Sequence, residues 1–163
     1  MKQTLILATL LFFSLTTTPL LAQQDHFIED SIERLENSRN YLLLVAEMMP
    51  EEKYNYKATE ESLSFSENLM HIGFALDWHS HSLIGNREAR VYQTDTIFKP
   101  ANKTKAEMMA RIDQTFTEAI ALLKDFEPAQ LNDELDYFGL NRSKRQIVML
   151  LADHITHHRA QML

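Results

Sequence analysis

Residues 65–83 carry two apolar stripes on what the spacing predicts to be one helix. Phe65, Leu69, Ile72, Leu76 and Leu83 recur along one side, and Met70, Phe74, Ala75 and Trp78 along the other. A helix apolar on two sides cannot lie on a surface, so it must be packed between neighbours in a bundle. Ser64 and Glu67 have the S-x-x-E spacing of a capping box, which places the start near 62–64, and the pattern runs to about Ile84. His71 falls within the second stripe. His79 and His81 lie nearer the helix end and read as solvated.

Three more helices supply the neighbours. From Asp25 to Met49, Ile28, Ile32, Leu35, Leu42, Val45 and Met49 recur at helical spacing, interrupted by a polar step at Ser38 and Arg39; Pro50 ends the run. The polar segment 51–57 holds Tyr54 and Tyr56, which read as packing on the bundle. Thr104 and Glu107 open a third helix whose stripe is Met109, Ile112, Phe116, Ala119, Leu123 and Phe126, with Pro128 marking its end. Ser143 and Gln146 open the last, after a loop from Leu131 to Asn141 that contains Gly139 and can hold a short extended piece. The connection from Gly85 to Lys103 is long for a compact domain. Extended, it could span on the order of 60 Å, enough to run the length of a bundle. It therefore reads as a crossover that makes the second and third helices parallel. The expected fold is an all-α four-helix bundle, up-down-down-up, with that crossover between helices 2 and 3.

Residues 1–22 differ from the rest. Lys2, the apolar run from Leu5 to Leu15 and the Leu20-Leu21-Ala22 ending have the pattern of a cleaved secretory signal. The run is too short to span a bilayer comfortably, so no stable membrane insertion is expected after cleavage. The domain proper is then 23–163, secreted or periplasmic. There is no cysteine, which excludes a lipid-attached lipoprotein, disulfides, Cys-metal sites and a Cys nucleophile. Removing 1–22 takes away only Lys2 and leaves 15 basic against 23 acidic side chains. With that acidic balance and no basic stripe, nucleic acid is not an expected partner.

Three of the seven histidines, His154, His157 and His158, fall within five residues of the last helix. His154 and His158 are one turn apart, so both can grip one ion. At about 100° per residue they lie within the stripe of Ile147, Leu150, Leu151 and Ile155, whereas His157 sits at its edge. Imidazoles aimed into a core must be satisfied, by a metal or by buried hydrogen bonds. Helix register favours the metal. With helix 2 descending, His71 is roughly 12 Å from the top of the bundle; with helix 4 ascending, His158 and His154 are roughly 8 and 14 Å below it. Three histidines at one height leave one or more metal positions open, as in reactive sites.

Three segments carry a family resemblance: Met49-Pro50-Glu51-Glu52-Lys53-Tyr54, Asn68-Leu69-Met70-His71-Ile72, and His154-x-x-x-His158-Arg159-x-Gln161. In these the chain resembles the DinB/YfiT-like family of four-helix metalloproteins, over essentially all of residues 23–163. The resemblance implies an up-down-down-up bundle and a divalent metal held by His71, His154 and His158; some members of that family are thiol-dependent transferases. Ala160 departs from the family, where Gly is common after the Arg. The stop at Leu163 departs too, since relatives usually continue into a Tyr/Pro-containing tail, and it implies an incomplete edge to the site or a truncated sequence. The export signal argues against carrying cytoplasmic thiol chemistry across.

The reading that follows is an exported, metal-dependent enzyme, hydrolase-like or transferase-like, with an open three-histidine site for zinc, nickel or iron and a small-molecule substrate. A homodimer is compatible with it. Asp77, Asp153 and His157 are candidates for a general base. The alternatives are a non-catalytic metal- or small-ligand-binding bundle and a structural bundle with core histidines.

Overall fold

A computed structural model describes residues 26–163; the leader expected at 1–22 lies outside the described residues. Helix α1 spans Phe27–Met48, α2 Phe65–Asp77, α3 Lys105–Lys124 and α4 Lys144–Ala160. Helix α2 runs on into a π-helical turn, Trp78–Ile84. Its helical backbone thus ends where the periodicity puts it, but winds wider over the last stretch. The side chains of His79 and Ser80 donate to the carbonyls of Ala75 and Leu76, at 2.7 and 2.6 Å. Those are the oxygens an α-helical amide would use, and the competition gives a local reason for the wider winding.

All three capping boxes form reciprocally. Ser64, Thr104 and Ser143 each accept from the backbone amide three residues on, and Glu67, Glu107 and Gln146 reach back to the cap amide at 2.7, 2.7 and 2.9 Å. Each cap satisfies amides that would otherwise be orphaned, and is worth about 1 kcal/mol.

Contacts at the helix ends fix the directions. Lys105, at the start of α3, donates to the carbonyls of Glu47 and Met49 at the end of α1, at 2.6 and 3.1 Å. Ser66, at the start of α2, donates its amide to Tyr54 just beyond that same end, at 2.8 Å. So α2 and α3 both begin where α1 finishes and run back beside it. Arg145, at the start of α4, lies over the Phe27 ring at the start of α1, and Arg159 near the end of α4 lies over Tyr41, each at 4.4 Å. Helix α4 therefore runs with α1, and the order is up-down-down-up. Helix α2 packs against both α3 and α4, as its two stripes require. Leu42, Leu69, Ile72, Leu76, Ile112, Phe116, Ile147 and Ile155 are fully buried between the helices.

The crossover is fastened along its length. Asp77, buried at the end of α2, pairs with Arg87 and Arg90, and Arg90 also pairs with Asp95. Asp95 in turn accepts from the Phe98 amide at 2.7 Å. Phe98 is 3% exposed and sits against Gly73 of α2. A Cβ at position 73 would come within 2.9 Å of the Phe98 ring and 2.7 Å of Ile112. The missing side chain is what lets the crossover and α3 approach so closely.

Two local expectations are corrected. Of the paired tyrosines only Tyr54 packs: its hydroxyl donates to Ala46 at 2.8 Å, while Tyr56 is exposed. The stretch 131–141 is more ordered than a loop. After a 3-10 turn, Pro128–Asn132, come strands β1, Glu134–Tyr137, and β2, Leu140–Ser143, paired antiparallel with Glu134 opposite Ser143 and Tyr137 opposite Leu140.

Phe98→Ala removes the ring that anchors the crossover. It is expected to cost about 3–5 kcal/mol of unfolding free energy, read from the denaturant midpoint, and to speed tryptic cleavage after Arg87, Arg90 and Lys103. An unchanged midpoint with unchanged cleavage would mean that the crossover is held by its ion pairs alone.

Candidate metal centre

His71 comes from the second turn of α2, and His154 and His158 from successive turns near the end of α4. The opposed directions of the two helices bring them to one level. Ring centroids are 5.1 Å apart for His71 and His154, and 4.5 Å for both His71–His158 and His154–His158. One ligating nitrogen from each ring lies within 4.8 Å of the other two, and all three residues are half-buried. Among the described residues this is the one cluster of His, Asp or Glu so placed.

Burial first, then mutual repulsion, keeps the rings neutral. His71 is lowered from its ordinary 6.5 to about 4 by burial, with help from His158 and the Lys99 ammonium. His154 is lowered to about 3, again by burial first and then by His158, His71, His79 and His157. His158 is lowered by burial and by His157, while a hydrogen bond to Gln161 works the other way. Neutral imidazoles are what a metal requires of its ligands.

The tautomer of His158 is fixed by Asn68. The Asn68 amide nitrogen donates to the carbonyls of Leu63 and Ser64, at 3.3 and 3.1 Å. That leaves its oxygen to accept from His158 Nδ1 at 3.0 Å. His158 therefore carries its proton on Nδ1 and turns an Nε2 lone pair to the cluster, the arrangement usual for metal-binding histidines. His71 Nδ1 and His154 Nε2 are buried and have no hydrogen-bond partner. Three neutral imidazoles, one held by an amide and two with orphaned buried nitrogens, fit a divalent cation of borderline softness.

His157 is exposed, its ring 4.9 Å from His158. The aspartates considered as general bases are engaged elsewhere. Asp77 is held by Arg87 and Arg90, and exposed Asp153 pairs with Arg34 at 3.3 Å. His79 corrects the sequence reading, being 1% exposed rather than solvated; His81 is half-buried. His79 donates from Nδ1 to the Ala75 carbonyl and accepts at Nε2 from the Tyr137 hydroxyl at 3.1 Å. Its ring is 6.0 Å from that of His154. Tyr137 belongs to β1, and a four-residue strand gives too weak a period to show in sequence that it would cover His79. Asn68 could be suspected one turn before His71 facing helix 4, but its hydrogen bonds depend on tertiary packing.

Two approaches flank the cluster. Beside His158 and Asn68 a cleft of about 640 Å³ is walled by Met49, Leu63, Phe65 and Met162. On the other side the crossover brings Tyr92 edge-on to His71 at 5.8 Å, with Lys99 Nζ 3.3 Å above the Tyr92 ring.

The fold has known counterparts. The chain is similar to a crystal structure of a DinB-like protein from Bacillus subtilis, with TM-score 0.65 and 21% identity over 82% of this chain and 86% of that one. It is also similar to a conserved protein from Enterococcus faecalis, with TM-score 0.61 and 14% identity over 86% and 94%. A third likeness is to a mycothiol-dependent maleylpyruvate isomerase, with TM-score 0.54 and 10% identity over 83% of this chain but 60% of the isomerase. At these identities the likeness is one of fold. No curated protein sequence matches the chain. The sequence model of the DinB superfamily, however, matches residues 34–162, nearly the whole of the bundle, and on that match the chain belongs to the DinB superfamily.

Proposed function

We propose that this chain is a divalent-metal-dependent enzyme, of hydrolase or transferase type, in which His71, His154 and His158 hold the ion and leave positions open to a small-molecule substrate. Zinc, nickel and iron all suit the donor set. The Lys2, apolar-run and Ala22 pattern adds to the proposal that it works outside the cytoplasm after removal of 1–22.

One contrast within the molecule carries the reading. A core histidine with a structural job is hydrogen-bonded at both nitrogens, and His79 is such a residue. His71 and His154 each keep a buried nitrogen with no partner; His81 Nε2 is unpaired as well but lies outside the cluster, whereas these two stand in it with His158. An unsatisfied buried group costs about 1–3 kcal/mol, and a shared cation removes that cost for both at once. When bound, a divalent ion supplies Lewis-acid polarisation of a ligated group and lowers the pKa of ligated water toward neutrality. The chain's own residues hold and orient. Asn68 fixes the His158 tautomer, and burial keeps the imidazoles unprotonated. Tyr92 and Lys99 stand on the crossover side.

A second reading, a non-catalytic metal- or ligand-binding bundle, is favoured by the commitment of Asp77 and Asp153 to arginines, which leaves neither carboxylate free as a base. Metal-dependent turnover of activated esters or of a thiol-conjugation substrate, lost in His158→Ala, separates the two.

Thermal melts of wild type and His158→Ala, each with zinc and with EDTA, test the site itself. Chelation should lower the wild-type melting temperature and change the variant much less, because the ion stabilises only the folded state. His71→Ala and His154→Ala should each weaken zinc binding by at least about 100-fold, whereas His157→Ala should leave it within about 3-fold. Equal EDTA sensitivity in wild type and His158→Ala removes His158 from the site.

Acidity provides another check. The folded-state values of His71 and His154, about 4 and about 3, lie below the ordinary 6.5. Below pH 6.5 the unfolded chain therefore binds more protons than the folded one. Stability is fully present above 6.5 and is lost as pH falls through the window toward 4 and 3. The metal-free protein should melt at a constant temperature from pH 8 to 6.5 and progressively lower below that. His71→Ala should show a shallower decline, since one of the depressed histidines is gone and the repulsion it exerts on His154 goes with it; an identical decline would place the titration elsewhere.

A further inference from the structure

We propose that the β1–β2 hairpin gives the metal centre an aromatic wall, and that the substrate is a small molecule with an anionic metal-binding head and a flat, apolar or aromatic tail. The head group rests on the metal reading above; the tail is argued from the rings alone.

The hairpin turn is built at a conformational cost. Its two central residues, Phe138 and Gly139, have φ of 54° and 81°, and a turn with two positive φ values ordinarily takes Asn or Asp before Gly. The other non-glycine residues with positive φ among the described residues are Asn86 and Asn102, of the type that tolerates it. Phe138 is bulky, strained and 78% exposed. Strain held at an exposed aromatic points to a role in contact with something else.

What surrounds the ring says what that something is. Phe138 lies 5.4 Å from Trp78 and 4.8 Å from Tyr137, centroid to centroid. Trp78 follows His71 by seven residues, two helical turns along the same face and roughly 10 Å away. Between these two positions come Phe74 and Tyr92, 4.8 Å apart, with Tyr92 edge-on to His71. Aromatic surface thus leads from the metal cluster toward the hairpin. The Tyr137 hydroxyl, bonded to buried His79 beside His154, ties the hairpin to the two metal-bearing helices. At the other end, three neutral imidazoles would leave a divalent ion its full charge, and Lys99 adds another positive group near His71. That end suits an anionic head.

The test uses two zinc-binding probes, acetohydroxamate and 4-phenylbutyrohydroxamate, whose phenyl ring can reach the hairpin from a head at the metal. Trp78 is the only tryptophan, so its fluorescence reports the wall directly, and calorimetry gives the affinities. Zinc-loaded wild type should bind the phenyl probe at least about 10-fold more tightly than acetohydroxamate, with quenching of Trp78. Phe138→Ala should bring the two affinities within about 3-fold while leaving zinc content and acetohydroxamate affinity unchanged. Phe138→Asn should lose the same preference yet melt a few degrees higher, because it relaxes the turn; this separates a ligand role from a structural one. Equal affinities in wild type, or full preference retained in Phe138→Ala, would overturn the proposal. If wild type takes up no zinc, the metal reading fails by itself. The wall is then judged with the neutral probe 4-phenylbutyramide: quenching of Trp78 in wild type but not in Phe138→Ala supports it, and no quenching overturns it.

Discussion

The burial of α2 between α3 and α4 is the constraint on which the rest depends. Water is kept from both sides of one helix, so every polar group on it must find a partner inside the protein or go without. On the α3 side the packing is mainly apolar: Ile72 and Leu76 are fully buried, and Gly73 lets Ile112 and Phe98 close in. On the α4 side the helix carries Asn68, His71 and His79, and their partners shape the site. Dehydration holds the imidazoles neutral. The same packing that makes the core stable therefore makes the cluster able to bind a cation.

Asn68 joins the helix start to the cluster. Its backbone amide is bonded to Ser64, the residue that caps α2, and its side-chain amide to Leu63 and Ser64. Those bonds leave only its oxygen to face His158. A shift in the capping turn would turn the amide and release the His158 tautomer. A cap worth about 1 kcal/mol in stability thus also sets which nitrogen of a distant helix is free. Aspartate at this place would hold the ring as well but would add a buried charge; asparagine orients it and leaves the cluster electrically neutral.

What could be read from the sequence divides along physical lines. Helical periods and capping boxes are local, and they placed all four helices and the cap residues Ser64, Thr104 and Ser143. The alignment of His71 with His154 and His158 followed from two helix registers and one long connection, because a rise of about 1.5 Å per residue carries position reliably along a helix. The misses have nonlocal causes. His79 read as solvated because it lies at a helix end, and it is buried because Tyr137 arrives from a hairpin with four residues per strand. Phe98 has no periodic neighbours in the crossover, so its burial against Gly73 left no pattern. The π-turn was hidden because Trp78–Ile84 keeps an apolar spacing that an α-helix shares.

The charge balance of the cluster narrows what it could do further than the fold does. Carboxylates within reach of a cation would offset its charge and favour a closed, structural site. Here the nearby acids are turned away: Asp77 is neutralised by Arg87 and Arg90, and Asp153 faces Arg34 on the outer surface. The groups left around the three rings are neutral or positive, with Lys99 over Tyr92 on the crossover side. An ion held by such a shell keeps most of its charge available to whatever occupies its remaining positions. That ordering of charge, acids paired off at the periphery and bare imidazoles at the centre, is what an open site for an anionic ligand requires.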